Sequence, residues 1–388
     1  SLMSLKLRSK NDWGRLDMTS ELSSLCSYAK GKVSVDTLSK RNYVSTENMV
    51  PNKGGIVDAG ALPSAQYTQQ YMKDDILVSN IRPYFKKIWM ADDDGGCSND
   101  VLVFRAECGC DSTFLYYVLA NDAFFNYASA TSKGTKMPRG DKTAIMQYEV
   151  PCFNHETQLR IGKLLRSIDD RITVNKKIND NLEQQAATLF KALFVDLTPF
   201  DGTMPPNWTI STLGDATEMG AGGDKPKESS PVKTPLCPYP IYSNGINDYG
   251  LYGYTNDPKI KVESVTVSAR GTIGYVCLRH TPYVPIVRLV TLIPDTKVLS
   301  AKYLYLYLRQ LHITGTGTTQ QQLTVPDFRK TEIIIPDKNT MDSFTETVTP
   351  LFEQIWANED ENTKLAEVRD ALLPKLMSGE IDVSDIQL

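Results

Sequence analysis

The sequence predicts an α+β protein in which two similar mixed α/β domains are separated by two long antiparallel coiled-coil helices, a pseudo-two-fold internal repeat. Three observations predict it. First, residues 155–196 hold no proline and a single glycine, Gly162, and their apolar side chains recur at alternating steps of four and three. The series runs Ile161, Leu165, Ile168, Ile172, then Leu182, Ala186, Leu189 and Leu193, with Asn175 and Asn179 at the two heptad positions between. That spacing describes a coiled-coil seam rather than the wider stripe of a surface helix. Second, adding 183 to each number finds the seam again at Phe344, Val348, Leu351, Ile355, Asn358, Asn362, Leu365, Arg369, Leu372 and Leu376. Nine of the ten positions keep their character, both asparagines included. Third, a matching domain-sized segment precedes each helix.

The elements follow in order. Ser1-Leu2 ahead of Met3 reads as foreign to the natural chain, so the first mixed domain is counted over 3–154. In it Asp75-Ile-Leu-Val-Ser-Asn-Ile-Arg-Pro-Tyr-Phe reads as an apolar strand, a basic loop and a second strand. A short aromatic helix is expected over Ser112–Phe125, then a Gly/Thr/Ser loop from Thr131 to Arg139 and an apolar strand ending at Pro151. The first long helix occupies 155–197. Thr198 to Pro206, with three prolines and a glycine, is the linker opening the second mixed domain, 198–337. There Ser264-Val-Thr-Val-Ser-Ala-Arg-Gly-Thr-Ile-Gly-Tyr-Val repeats the strand–loop–strand pattern, followed by a helix over Ser300–Leu311, the loop Thr314–Gln322 and a strand ending at Pro336. Tyr303, Tyr305 and Tyr307 in that helix read as core. The second long helix fills 338–388, and Pro374, standing where the first copy has Lys191, should end or kink it near its last turn. A helix of ~35 residues is ~50 Å long, and the face most like each seam is the other copy. Pairing within one chain then requires antiparallel helices, with the asparagines meeting near the middle and fixing register.

With 388 residues, 41% hydrophobic and 23% charged, the chain has ordinary globular composition and room for two or three domains. No run of 18 apolar residues occurs and the start opens no signal-peptide pattern, so a soluble, cytoplasmic protein with no membrane partner is expected. Seven scattered cysteines argue for reduced thiols. The formal net charge of −4 conceals an asymmetry: from Asp337 onward the charge is −8, leaving +4 on the remainder. Contact with DNA would therefore be made by local patches. Catalytic patterns are missing. The three histidines, His155, His280 and His312, have no metal-ligand spacing. Gly315-Thr-Gly-Thr-Thr-Gln lacks the Lys-Ser/Thr of a phosphate loop. Pro205-Pro206-Asn207-Trp208 reverses the adenine-methyltransferase motif and reads as linker. Cys97, Cys108 and Cys110 have no fourth ligand nearby, so no metal is assigned.

The ending Leu372-Leu-Pro-Lys-Leu-Met-Ser-Gly-Glu-Ile381, with the paired domain-and-helix modules, resembles the specificity (S) subunits of type I restriction–modification enzymes. The resemblance covers essentially the whole chain. Gln158–Phe194, with Ile168-Asp-Asp-Arg-Ile and Asn175-x-x-Ile-Asn-x-x-Leu-Glu, is similar to the family's central helix, and Trp208-x-x-x-x-Leu213-Gly-Asp to the entry of a second target-recognition domain. Ser243-Asn-Gly-Ile246 and Ser268-Ala-Arg-Gly-Thr-Ile273 fall where that domain's strands and loops lie, whereas the first domain carries Asn80-Ile-Arg-Pro in place of the usual Gly-Thr-Ile-Gly type of turn. The resemblance implies a non-catalytic reader of double-stranded DNA in a bacterium or archaeon. Each recognition domain would contact half of a bipartite asymmetric site. The helices would act as ruler and as dock for two modification (methyltransferase) subunits, with restriction (translocase/nuclease) subunits added. No cofactor is expected on this subunit; S-adenosylmethionine, ATP and Mg belong to the partners.

Arginine and lysine can take phosphate or the O6 and N7 of guanine, and amides can read adenine. The candidate DNA-binding residues are Asn80, Arg82, Lys133, Lys136 and Arg139 in the first domain. Those of the second are Tyr242, Asn244, Arg270, Thr272, Thr316, Thr318, Gln320 and Gln321. Ile161, Leu165, Ile168, Ile172, Asn175, Asn179, Leu182, Leu189, Phe344, Val348, Leu351, Ile355, Asn358, Asn362, Leu365 and Leu372 are the candidates for the seam and partner docking. The alternative is a coiled-coil scaffold joining two protein-binding modules without touching DNA.

Overall fold

A computed structural model describes residues 19–315 and 322–384. The chain divides into two compact units, Ser1–Val174 with Asp360–Leu388, and Asn175–Glu359.

The first unit contains strands β1 (Thr19–Glu21), β2 (Cys26–Tyr28), β3 (Lys32–Ser34), β4 (Tyr43–Val44), β5 (Tyr67–Tyr71), β6 (Ile76–Ser79), β7 (Ile88–Met90), β8 (Gly95–Cys97), β9 (Val101–Ala106) and β10 (Glu149–Pro151). Its helices are α1 (Ser112–Ala120), α2 (Asp122–Ala130) and α3 (Lys142–Met146), and the long helix α4 (His155–Phe190) begins in it. One four-stranded sheet runs β2-β9-β6-β7, a second β3-β5-β8-β4, and β1 pairs with β10. The strand–loop–strand expected from Asp75 onward is the antiparallel pair β6/β7, with Ile76 opposite Met90. The single helix expected over Ser112–Phe125 is instead two. Asn121 is extended at ψ 137° and turns its side chain onto the Ala123 amide, capping α2, as Asp111 caps α1. The core of this unit joins Ile76, Phe104, Phe114 and Phe124 to Ile161 and Leu165 of α4 and to Leu373, Leu376, Ile381 and Val383 from the C-terminal segment.

The second unit repeats the plan. Its strands are β11 (Thr209–Thr212), β12 (Thr217–Ala221), β13 (Ser229–Ser230), β14 (Tyr239–Tyr242), β15 (Leu251–Thr255), β16 (Ser264–Val267), β17 (Val276–Arg279), β18 (Val284–Pro285), β19 (Val290–Pro294) and β20 (Glu332–Ile335). Helices α5 (Leu213–Ala216), α6 (Ala301–Gln310) and α7 (Val325–Phe328) precede the second long helix, α8 (Lys338–Met377). The sheet β12-β19-β16-β17 reproduces β2-β9-β6-β7, and β11 pairs with β20 as β1 does with β10. The smaller sheet departs in one place. Its order is β13-β15-β14-β18, so β14 takes the position beside β15 that β8 takes beside β5 in the first unit.

Each long helix is shared between the units, because each half packs on the mixed domain beside it. The packing units thus cut across boundaries drawn along the sequence. The helices start alike: Asn154 accepts from the Thr157 amide at 2.8 Å, and Asp337, 183 residues on, accepts from the Asn339 amide at 3.1 Å. Within each unit they are antiparallel. Asp169 meets Arg369 and Arg171 meets Glu361 in the first; Asn179 meets Asn358 and Phe190 meets Phe344 in the second. Helix α8 passes through Pro374 and closes at Met377, where the Ser378 amide donates to the Pro374 carbonyl at 2.9 Å.

Burial departs from the expected seam at one end. Leu189 is 37% exposed, while Ala186, Phe190 and Phe194 are buried in successive steps of four. The physical reason is aromatic packing: Phe190 meets Tyr303 and Phe344, and Phe194, inside a widened π turn at Lys191–Val195, joins the same core. Phe194 stands 4.9 Å from Phe344 and 5.6 Å from Trp208, ring centre to ring centre. Ile161, Leu165, Phe344, Val348, Asn175 and Asn358 are buried; Ile168, Ile172, Asn179, Leu182, Leu351, Ile355, Asn362, Leu365 and Leu372 are partly so.

The Asn358 amide donates to Asn179 Oδ1 at 2.7 Å, and Asn179 in turn donates to the Ile355 carbonyl at 3.1 Å. Asn358→Leu strips Asn179 of one partner and is expected to cost about 1–3 kcal/mol. Replacing both asparagines by leucine removes the unmet polar group and is expected to be neutral or stabilising. Thermal melting of the two variants checks the contrast; equal losses would mean that the pair is not coupled.

Candidate nucleic-acid interface

In the first unit the β6/β7 loop and the loop after α2 are tied together by main-chain bonds. The Arg82 amide donates to the Pro138 carbonyl at 2.8 Å, and Gly140 donates to the Asn80 carbonyl at 3.1 Å. The Lys133 and Arg139 main chains exchange bonds of 2.8 and 2.9 Å, closing the intervening residues into a small hairpin. Gly140 lets the loops approach closely: a Cβ would lie 2.8 Å from Asn80 Oδ1 and from Ile145 Cδ1, so both side chains would have to shift. This brings Arg82, Lys133, Lys136 and Arg139 into one cluster, the last three exposed. Lys133 rests 2.5 Å from Asp141, and Arg139 3.1 Å from Asp100. The Lys133 bond and the Ala144 and Thr143 amides hold the Asp141 carboxyl below its ordinary range. Exposed pairs of this kind are weak, so either cation can exchange its partner for phosphate at small cost. Asn80 belongs to the frame, being buried, with its amide on the Asp100 carbonyl at 2.8 Å.

The second unit builds the equivalent cluster from different side chains. The Leu323 amide donates to the Ala269 carbonyl at 3.0 Å, joining the β16/β17 loop to the loop before α7. Arg270 is exposed and donates to Gln322 Oε1 at 3.0 Å; Thr272 stands exposed at the loop tip. Asn244 spends both ends of its amide on the frame, accepting from the Ala269 amide and donating to the Val287 carbonyl, each at 2.7 Å. Tyr242 is half-buried beneath the Arg279 guanidinium, 3.6 Å from its ring centre, and burial pushes the phenol up despite that cation. Thr316, Thr318, Gln320 and Gln321 lie outside the described residues.

Two features escaped the sequence reading. Gln322 is the partner of Arg270. Arg288 is exposed in a turn where Val287 and Arg288 take φ of 52° and 63°, unusual for a β-branched residue. That turn is held by the Val287 and Arg288 amides on the carbonyls of Gly223 and Gly222, at 2.9 and 2.8 Å. Nothing in Val-Pro-Ile-Val-Arg announces a left-handed turn, since the residues read as strand.

Both mixed domains are fastened to α4 by a tyrosine. The Tyr117 hydroxyl donates to Asp169 Oδ2 at 2.6 Å, and Arg369 holds the other oxygen at 2.7 Å. In the second unit Tyr305 donates to Glu183, which also receives Arg309. Burial, then the adjacent carboxylate, pushes both phenols up, keeping them protonated donors. Burial likewise raises the Cys97 and Cys110 thiols to about 12, and Cys108 is exposed. Among the described residues no group of three or more His, Cys, Asp or Glu side chains is placed to hold a metal ion, and no helix is long and apolar enough to cross a membrane.

The family model for the type I restriction modification DNA specificity domain matches twice, over residues 18–184 and 205–367. The chain is 27% identical over 311 residues to the MjaIX type I restriction enzyme specificity subunit of Methanocaldococcus jannaschii, covering 72% of this chain and 71% of that one. It is 25% identical to the HindI type I specificity subunit of Haemophilus influenzae, covering 87% and 94%. In fold it resembles the type I restriction–modification S subunit of M. genitalium, with TM-score 0.61 and 17% identity over 97% of this chain and 99% of that chain. The two matches to the family model take in each recognition domain with much of the helix that follows it, and the chain belongs to the specificity (S) subunits of type I restriction–modification systems, which recognise DNA by sequence.

Proposed function

We propose that each recognition domain reads one half of a bipartite, asymmetric DNA site, while the two helices set the spacing and dock two modification subunits. Restriction subunits complete the assembly, and S-adenosylmethionine, ATP and Mg act on the partners. The observation that carries this reading is the duplicated loop cluster. The same junction of hairpin loop and helix-flanking loop occurs in both units, with Arg82, Lys133, Lys136 and Arg139 in one and Arg270 and Gln322 in the other. Equivalent placement with unlike side chains suits two readers of two different half-sequences. Main-chain bonds and buried amides supply the frame, leaving the cations at the surface for phosphate and base edges.

Arg270→Ala is expected to cost the assembled complex about 1–3 kcal/mol of specific binding, confined to base changes in one half-site. Titration against duplexes altered in each half checks it, and an equal loss on all sequences would mark a phosphate contact instead. A scaffold that never touches DNA would show no steep fall of affinity with salt for any duplex.

A further inference from the structure

We infer that Tyr84 and Phe85 form a non-ionic DNA contact peculiar to the first recognition domain, their rings packing against a base step while the surrounding cations take phosphate. This rests on the reading of the loop clusters as a DNA interface. The two rings occupy the β6/β7 loop beside Arg82, 52% and 36% exposed, with centroids 4.8 Å apart. Neighbouring Pro83 is buried, so the turn puts its proline inward and its two large aromatics outward.

The backbone is forced into that display. Arg82 and Lys86, on either side of the turn, adopt φ of 49° and 51°, where non-glycine residues are uncommon. Strain of this sort persists only where the surroundings over-determine it. Here three clamps do so. Arg82 is bonded to the Pro138 carbonyl at 2.8 Å, and the Asn52 and Lys53 amides donate to the carbonyls of Phe85 and Lys86 at 2.9 and 2.8 Å. The Lys53 and Lys86 ammonium groups then converge on Asp122 at 2.9 and 2.8 Å. Burial would raise the Asp122 carboxyl, but the two cations outweigh it and hold the group below its ordinary range.

An exposed aromatic pair on a turn that carries Arg82 and Lys86, and that is bonded through Pro138 to the hairpin of Lys133 and Arg139, does not suit a purely apolar partner. It does suit DNA, whose phosphates meet the basic rim and whose base faces and thymine methyls are its apolar surface. The matching loop of the second domain carries Gly271-Thr272 at its tip, so the contact would serve one half-site only.

The test uses the full chain assembled with its modification subunits and a duplex whose site has been located by methylation mapping. Tyr84→Ser/Phe85→Ser is expected to weaken binding of that duplex about tenfold to a hundredfold, the range for losing aromatic contacts to bases. The slope of log affinity against log salt should not change, because no phosphate is released. The exchanged pair Tyr84→Phe/Phe85→Tyr, which keeps both rings, should bind within a few fold of the wild type, and unchanged melting of both variants excludes a folding defect. Wild-type affinity in the serine variant, or a loss accompanied by a shallower salt slope, overturns the inference while leaving the DNA reading intact. A wild-type complex with no sequence preference overturns both.

Discussion

Leu165→Asp is expected to unfold the first unit while the second keeps its structure. Leu165 is fully buried, one helical turn from Ile161, in the core that α4 shares with Phe114 of α1 and with Leu373 and Leu376 of α8. Losing the side chain alone costs about 2–5 kcal/mol. A carboxylate in its place has no buried cation to meet and must be protonated or hydrated, adding several kcal/mol more. The sum approaches the whole stability of a typical domain, about 5–15 kcal/mol. Limited proteolysis should release fragments from residues 19–174 and leave 175–359 protected. Aspartate at Leu182 or Leu365, both partly exposed, should be tolerated far better. If Leu165→Asp melted like the wild type, the core described for this unit would be wrong.

The contrast between Leu165 and Leu189 marks where the sequence was legible. The 4–3 spacing and the offset of 183 are local, repeated signals, and they located both helices and the asparagine pair. Leu189 was misplaced because Phe190, the next residue along, occupies the core instead. That choice is made by Tyr303, Phe344 and Trp208, all distant in sequence. The loops follow the same logic. Residue type nominated Asn244 as a reader, but its amide is consumed by Ala269 and Val287, partners no spacing rule could name. Arg288 and the Tyr84–Phe85 pair were passed over because their exposure depends on left-handed turns at residues that are not glycine.

A chain ending near Asp196 is expected to form a two-fold dimer. The cut leaves the first recognition domain and α4 but removes Leu373, Leu376, Met377, Ile381 and Val383, all buried in the first unit's core. At about 1.5–3 kcal/mol for each buried side chain of this size, the exposed surface forfeits roughly 7–15 kcal/mol, more than a domain can lose. The repeat supplies the remedy. Shifted by 183, Leu372, Leu373, Leu376 and Met377 correspond to Leu189, Phe190, Leu193 and Phe194, so a second copy of α4 can lay apolar side chains where α8 had placed them. Leu189, exposed in the intact chain, would then gain a buried role, and the same patch would serve both copies, as two-fold symmetry requires. Sedimentation of the fragment measures the mass directly. Because such a dimer carries two copies of the first reader, its complex with modification subunits should methylate a symmetric site, one half-sequence and its inverted repeat. A folded monomer would show that the C-terminal segment is dispensable to the core it fills. A dimer that still methylated the original asymmetric site would leave the pairing standing and remove the assignment of one half-site to each domain.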